Sequence, residues 1–271
     1  MLTPVGQVSS YRFADLMAAT LVGLSGPLLF VLHMPLLGYG ALLVALGISY
    51  FTNTNLFRDL TLLCVSLLIM SMVPINTDIG VSHMLIMGAA MLTIVGLPDV
   101  ISRYVYKQHL IRFPWHFNEP WSGYKWAYLG LVAVVGYFVL PYYMITTGAY
   151  LNWPAAHSSA EVIRLFIGTN ALGIWDELFF ICTAFVIFSR HLPFWVANVL
   201  QAMLFSSFLF ELGFVAWGLP MTFVFALVQA YIFKLTHSLF YIVCIHLLFD
   251  FFLFLVLIHA HNRDVLNIFL Y

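Results

Sequence analysis

The chain has 271 residues, of which 63% are hydrophobic and only 8% charged, with a formal net charge of -1. Soluble domains are about a quarter charged, so ten Lys and Arg with eleven Asp and Glu cannot coat a globule of this size, and a soluble protein is excluded. The near-neutral balance offers no field for nucleic acid, and Cys64, Cys182 and Cys244, far apart in apolar runs, make neither a disulfide framework nor a zinc pattern.

Apolar runs of about 20 residues without alternation predict membrane-spanning helices rather than barrel strands. In chain order they fall at 13–32, 35–52, 57–74, 79–98, 125–146, 161–189, 193–217, 219–234 and 236–259, an all-α polytopic transmembrane bundle of eight or nine helices. The first run lacks the short apolar core and small-residue cleavage site of a signal peptide and is read as retained. Pro35, Pro74, Pro98, Pro193 and Pro220 sit at or near helix ends, while Pro27 and Pro141 lie inside spans and should kink them. The break at 99–124, with Arg103, Lys107, Arg112, Trp115 and Trp121, reads as a cytoplasmic interfacial segment. It divides N-terminal helices (1–98) from a C-terminal bundle (125–271).

Nine spans place the two termini on opposite sides. Arg12, Arg58, Arg103, Lys107, Arg112, Lys125, Arg190 and Lys234 then share the N-terminal side, against Arg164 and Arg263 on the other. This positive-inside bias predicts a cytoplasmic N-terminus.

Charge within the membrane is costly and is kept mainly to bind, react or lock helices together. The candidates are Asp176, Glu177, Glu211, His246 and Asp250, all in the last four expected helices. Asp176 and Glu177 fall halfway between Arg164 and Arg190, near the midplane, with Thr169, Asn170 and Thr183 at seven-residue spacing forming a polar stripe. Two adjacent carboxylates out of water do not both ionise easily, a condition suited to acid–base chemistry. His246 and Asp250, at i and i+4, project from one face of the last helix at matching depth. Asp176, Glu177, His246 and Asp250 therefore read as one catalytic site, with Glu211, nearer its helix end, as a candidate helper. Each alone could instead bond a neighbouring helix. His259, His261 and Asn262 read as hydrated residues at the outer interface.

The segment Trp175-Asp176-Glu177-Leu178-Phe179-Phe180 resembles the first motif of the CPBP family of intramembrane proteases, the CAAX-protease and bacteriocin-processing enzymes. That motif is two consecutive Glu, three residues, then Arg. The final helix, THSLFYIVCIHLLFDFF with Ser238-Leu239, resembles the closing motif, a Ser-Leu run before His, three residues, then Asn or Asp. The stretch Leu219-Pro220-Met221-Thr222-Phe223-Val224-Phe225-Ala226-Leu227 resembles the family's preceding helix. The likeness covers about 160–255 and implies a CPBP-like core there. It also implies that Asp176 takes the place of the water-activating Glu, Glu177 that of the second, and His246 with Asp250 that of the oxyanion-stabilising pair. Ile181 stands where the motif has Arg, and 193–217 lacks the His of the middle motif.

Three functions are compatible with these residues. The first is a CPBP-type intramembrane endopeptidase hydrolysing a peptide bond of a membrane-anchored substrate. The second is a catalytically inactive scaffold or partner-binding subunit of the same fold, and the third a proton- or ion-coupled carrier. No cofactor is demanded; a divalent metal on Glu177, His246, Asp250 and Glu211 would suit zinc by ligand type, without the short-range spacing of a metal motif.

Overall fold

Backbone polar groups in lipid must be satisfied within the segment. The computed structural model, which describes residues 11–115 and 120–271, is accordingly all-helical among those residues, with no strand. Nine of its helices are long and apolar enough to cross a membrane. They are α1 (Phe13–Val31), α2 (Pro35–Thr52), α3 (Thr54–Met72), α4 (Val81–Val105), α5 (Gly123–Thr146), α6 (Ser159–His191), α7 (Phe194–Glu211), α8 (Gly218–Thr236) and α9 (Leu239–His261).

Several boundaries differ from those expected, each for a local reason. α4 does not stop at Pro98 but runs on to Val105, because its last turn widens to π geometry with the Tyr106 N–H donating to Ile101 O at 3.0 Å. The expected interfacial segment thus begins as helix, and four of its residues, 116–119, lie outside the described residues, as do 1–10. α7 ends at Glu211 rather than 217: Gly213 (φ 92°) and Ala216 (φ 54°) take left-handed backbone that no helix continues. α5 passes through Pro141 as one helix. In α1, Pro27 opens a π turn in which the Leu32 N–H donates to Pro27 O at 2.9 Å, so the proline widens the helix without ending it. A 3-10 turn at Ala149–Asn152, without an apolar run to announce it, connects α5 to α6.

Caps fix the two helices that carry most of the candidate residues. α6 starts in a capping box, Ser158 accepting from the Glu161 N–H while Glu161 Oε2 accepts from the Ser158 N–H at 2.9 Å. α9 starts at Ser238, whose hydroxyl accepts from the Tyr241 N–H at 3.3 Å, immediately after the left-handed His237 (φ 49°). The Ser-Leu pair of the sequence motif is therefore a helix start that turns α9 sharply back against α8.

α6 sits at the centre, packed against α4, α7 and α9, while α5 leans on α9, and α8 packs chiefly on α7. α1 lies against α7, so the N-terminal and C-terminal helices share one hydrophobic core. Trp175 pins α6 to α4, its indole N–H donating to Met91 O at 2.8 Å. The C-terminal histidines do not follow the hydration reading: His259 is fully buried with Nε2 3.2 Å from Tyr271 O, and His261 Nε2 lies 3.1 Å from Tyr150 O.

Candidate functional site

In α6 the α-helix gives way after Asp176 to nine residues of π-helix, Glu177–Phe185. The change of geometry falls between the two carboxylates, and π segments recur at functional sites because they re-aim side chains within an otherwise regular helix. Here Asp176 and Glu177 reach opposite nitrogens of one ring. His246 Nδ1 lies 2.7 Å from Glu177 Oε1, and its Nε2 lies 3.6 Å from Asp176 Oδ2 and 3.9 Å from Asp250 Oδ1. All four side chains are buried.

The seating of Asp250 and His246 against α6 depends on Gly173. A Cβ at that position would collide with the Asp250 carboxylate and press on the His246 ring, so no larger residue leaves these two side chains where they are. Aromatic edges close the ring from the other sides, with Phe225 of α8 at 5.1 Å and Phe205 of α7 at 6.0 Å between centroids. On α7, then, a phenylalanine stands beside His246, and no histidine does.

Gln229 of α8 completes the arrangement. Its side-chain N–H donates to Glu177 Oε1 at 2.7 Å and to Ile242 O at 3.2 Å. Reading the sequence for ionisable groups overlooks this amide; its only signal is one fully buried Gln within an apolar helix. Asn198 and Gln201 of α7 are similarly buried amides that bond to Leu227 O and Ala226 O and so bind α7 to α8.

The hydrogen bonding is incomplete in a specific way. Asp176 Oδ1, Glu177 Oε2, Asp250 Oδ2 and Gln229 Oε1 are buried without a hydrogen-bond partner. Buried polar atoms are paired in the great majority of cases, so these free oxygens keep capacity for a further partner such as water. His246 Nε2 stands 3.6 and 3.9 Å from the two aspartates, beyond hydrogen-bond length but too close to admit a water between the atoms, so a water reaching both would sit on the cavity side of them.

Asp176, His246 and Asp250 face a cavity of about 290 Å³, whose walls are otherwise mostly apolar, including Leu140, Leu172, Met221 and Leu253. Glu177 does not line it and stands behind the ring. The cavity opens sideways between α5 and α8, where the lining residues Val135, Val224 and Val228 are exposed. That rim lies within two membrane spans, so the mouth faces lipid.

Glu211, expected as a helper, is elsewhere. It faces His33 Nδ1 at 3.5 Å and lines a separate cavity of about 440 Å³ with Tyr39 and Ser71, on a helix that packs against α1 and not chiefly against α9. The four-ligand metal set of Glu177, His246, Asp250 and Glu211 is therefore not assembled, and among the described residues no group of three His, Cys, Asp or Glu is placed to hold a metal. Of the expected stripe, Thr169 lines the main cavity, but Asn170 turns back to donate to Phe166 O, and Thr183 donates to Leu178 O across the π turn.

Residues 158–252 match the family model described as type II CAAX prenyl endopeptidase Rce1-like. Neither the curated proteins nor the solved structures give a match to the chain. The matched residues span α6, α7, α8 and most of α9, with every member of the carboxylate–histidine cluster among them; in that region this multi-pass membrane protein is CAAX-protease-like and similar to the Rce1-like family.

Proposed function

We propose that the chain is an intramembrane endopeptidase of the CAAX type, hydrolysing a peptide bond near the lipidated C-terminus of a membrane-anchored substrate. The observation that carries this reading is one buried histidine held at Nδ1 by Glu177 while its Nε2 faces Asp176 at 3.6 Å and Asp250 at 3.9 Å, at the wall of a cavity open to lipid. A carboxylate behind an imidazole fixes its orientation and stabilises the imidazolium that forms when the opposite nitrogen takes a proton. Water held in the cavity within reach of Nε2 and Asp176 loses its proton to His246 as its oxygen attacks the peptide carbonyl. The same proton then passes to the leaving amine, and the C–N bond breaks. Asp250 completes the polar rim on which the water is held. The apolar walls receive the substrate's hydrocarbon through the opening between α5 and α8, and the N-terminus lies on the cytoplasmic side, as the distribution of Lys and Arg supports.

A catalytically silent, partner-binding role is favoured by two observations: Ile181 occupies the place of the motif's arginine, and Phe205 stands against His246 on α7. The two readings separate in one assay. Purified protein in lipid nanodiscs is given a prenylated peptide ending in a CAAX sequence, and peptide release is followed by mass spectrometry. The native chain should release the terminal peptide, whereas His246→Ala should do so at least about 10²-fold more slowly, the usual effect of losing an acid–base group. No release by the native chain, with the peptide bound, would establish the partner-binding role instead.

A further inference from the structure

Hydrolysis inside a membrane needs water as a substrate, and the lipid-facing mouth of the main cavity, rimmed by Val135, Val224 and Val228, is a poor route for it. A second cavity of about 100 Å³ lies along the other face of α6, against α4 and the turn before it. Its outer end is formed by Asn76 and Asp78, both exposed, and its walls include His83, Met87 and Gly168. Trp153, Thr169 and Leu172 line this cavity and the main one alike. Leu172 lies four residues before Asp176, about 6 Å along the helix axis.

The chemistry of the shared wall points to water. His83 Nε2 and Trp153 Nε1 are buried and without a hydrogen-bond partner, and both residues line the second cavity. An orphaned buried donor or acceptor is costly, and although most of the wall is apolar, a void of this volume has room for water beside His83 Nε2 and Trp153 Nε1 that would satisfy them. Thr169 donates its hydroxyl hydrogen to Leu165 O at 3.0 Å, which leaves its oxygen free to accept.

We infer that the cavity between α4 and α6 is a water conduit, leading from the exposed turn at Asn76–Asp78 past His83, Trp153 and Thr169 to the Asp176–His246 site. Its purpose rests on the hydrolytic reading above, but its existence can be tested without any turnover.

The experiment is radiolytic hydroxyl labelling of the full chain in lipid nanodiscs, in which water beside a side chain is the source of the oxidant. Trp153 and Trp175 are equally buried, each 5% exposed, but Trp175 donates to Met91 O and borders a void of only about 10 Å³. Trp153 should be oxidised about tenfold faster than Trp175, since only its cavity has room for exchanging water. Gly168→Phe fills the conduit, because a Cβ at Gly168 meets nothing closer than Met84 Cε at 3.7 Å. It should bring Trp153 down to the rate of Trp175, while Gly168→Ala should leave the ratio unchanged. Equal labelling of the two tryptophans in the native chain overturns the conduit, as does unchanged labelling of Trp153 in a Gly168→Phe protein that elutes like the native one. If that variant does not fold, Gly168→Leu takes its place in the same comparison, since Trp153 also borders the main cavity and the native ratio alone cannot assign its water to the conduit. Fast labelling of Trp153 in a chain that cleaves no peptide would keep the conduit and remove the peptidase.

Discussion

α6 carries two charged clusters, one at its middle and one at its end, and they are built on opposite principles. At its end, Arg190 and His191 meet Asp59 of α3. Asp59 Oδ1 accepts from Arg190 at 3.2 Å, and Oδ2 accepts from Arg190 at 3.0 Å and lies 2.7 Å from His191 Nε2. Arg190 also donates to Gln108 Oε1 at 2.7 Å. Both carboxylate oxygens are thus used, and the cluster ties α6 to the N-terminal helices and to the stretch after α4. In the middle, one oxygen each of Asp176, Glu177 and Asp250 is left over, and the two aspartates stand beside a cavity. A fully paired buried charge fixes structure, whereas a partly paired one beside open space keeps capacity for a ligand or a proton.

That contrast can be broken most decisively at the middle. His246→Ala should reduce peptide release per folded molecule by about 10²–10⁴-fold, the range for a positioned acid–base group, and should also lower the thermal unfolding midpoint in nanodiscs, because it leaves the buried Glu177 carboxylate without its imidazole. Glu177→Gln keeps the shape and the contact with Gln229 but removes the charge behind the imidazole. Its turnover should fall by about 10²-fold with peptide binding retained, read as a drop in kcat at unchanged KM.

Gly173→Ala should affect both properties, since the added methyl occupies the place of the Asp250 carboxylate and presses on the His246 ring. Overpacking of this kind costs about 1–3 kcal/mol, measurable as a lower denaturation midpoint, and the displaced His246 should lower turnover as well. Asp59→Ala tests the other cluster. It should destabilise by about 1–3 kcal/mol, the cost of stranding buried hydrogen-bonding groups, moderated because Arg190 is about a third exposed; turnover per folded molecule should stay as it was. The smallest effect belongs to Glu211→Gln, which touches neither cluster. Turnover should remain within about twofold and stability within ~0.5 kcal/mol, as for a substitution away from packed or paired groups.

The positions of the spans were legible because length and apolarity alone decide what can cross lipid, and each expected helix has its counterpart among the described residues. The depth match of Asp176–Glu177 with His246–Asp250 was also legible, since rise per residue places side chains along an axis without knowledge of neighbours. Helix ends at Val105 and Glu211 were not: the first depends on a π turn after Pro98, the second on left-handed backbone at Gly213 and Ala216, and neither alters the hydropathy of the run.

By itself the sequence determined an all-helical membrane protein with ionisable groups concentrated in its last helices, because the cost of charge in lipid depends on composition and depth. What only the tertiary structure decided was which of those groups meet. Rotation about each helix axis is invisible to hydropathy, and it is set here by the π segment after Asp176, the gap at Gly173 and the turn through His237 and Ser238. Those three features bring Glu177 to one side of His246 and Asp176 to the other, draw in the uncharged Gln229, and leave Glu211 facing His33 in another cavity.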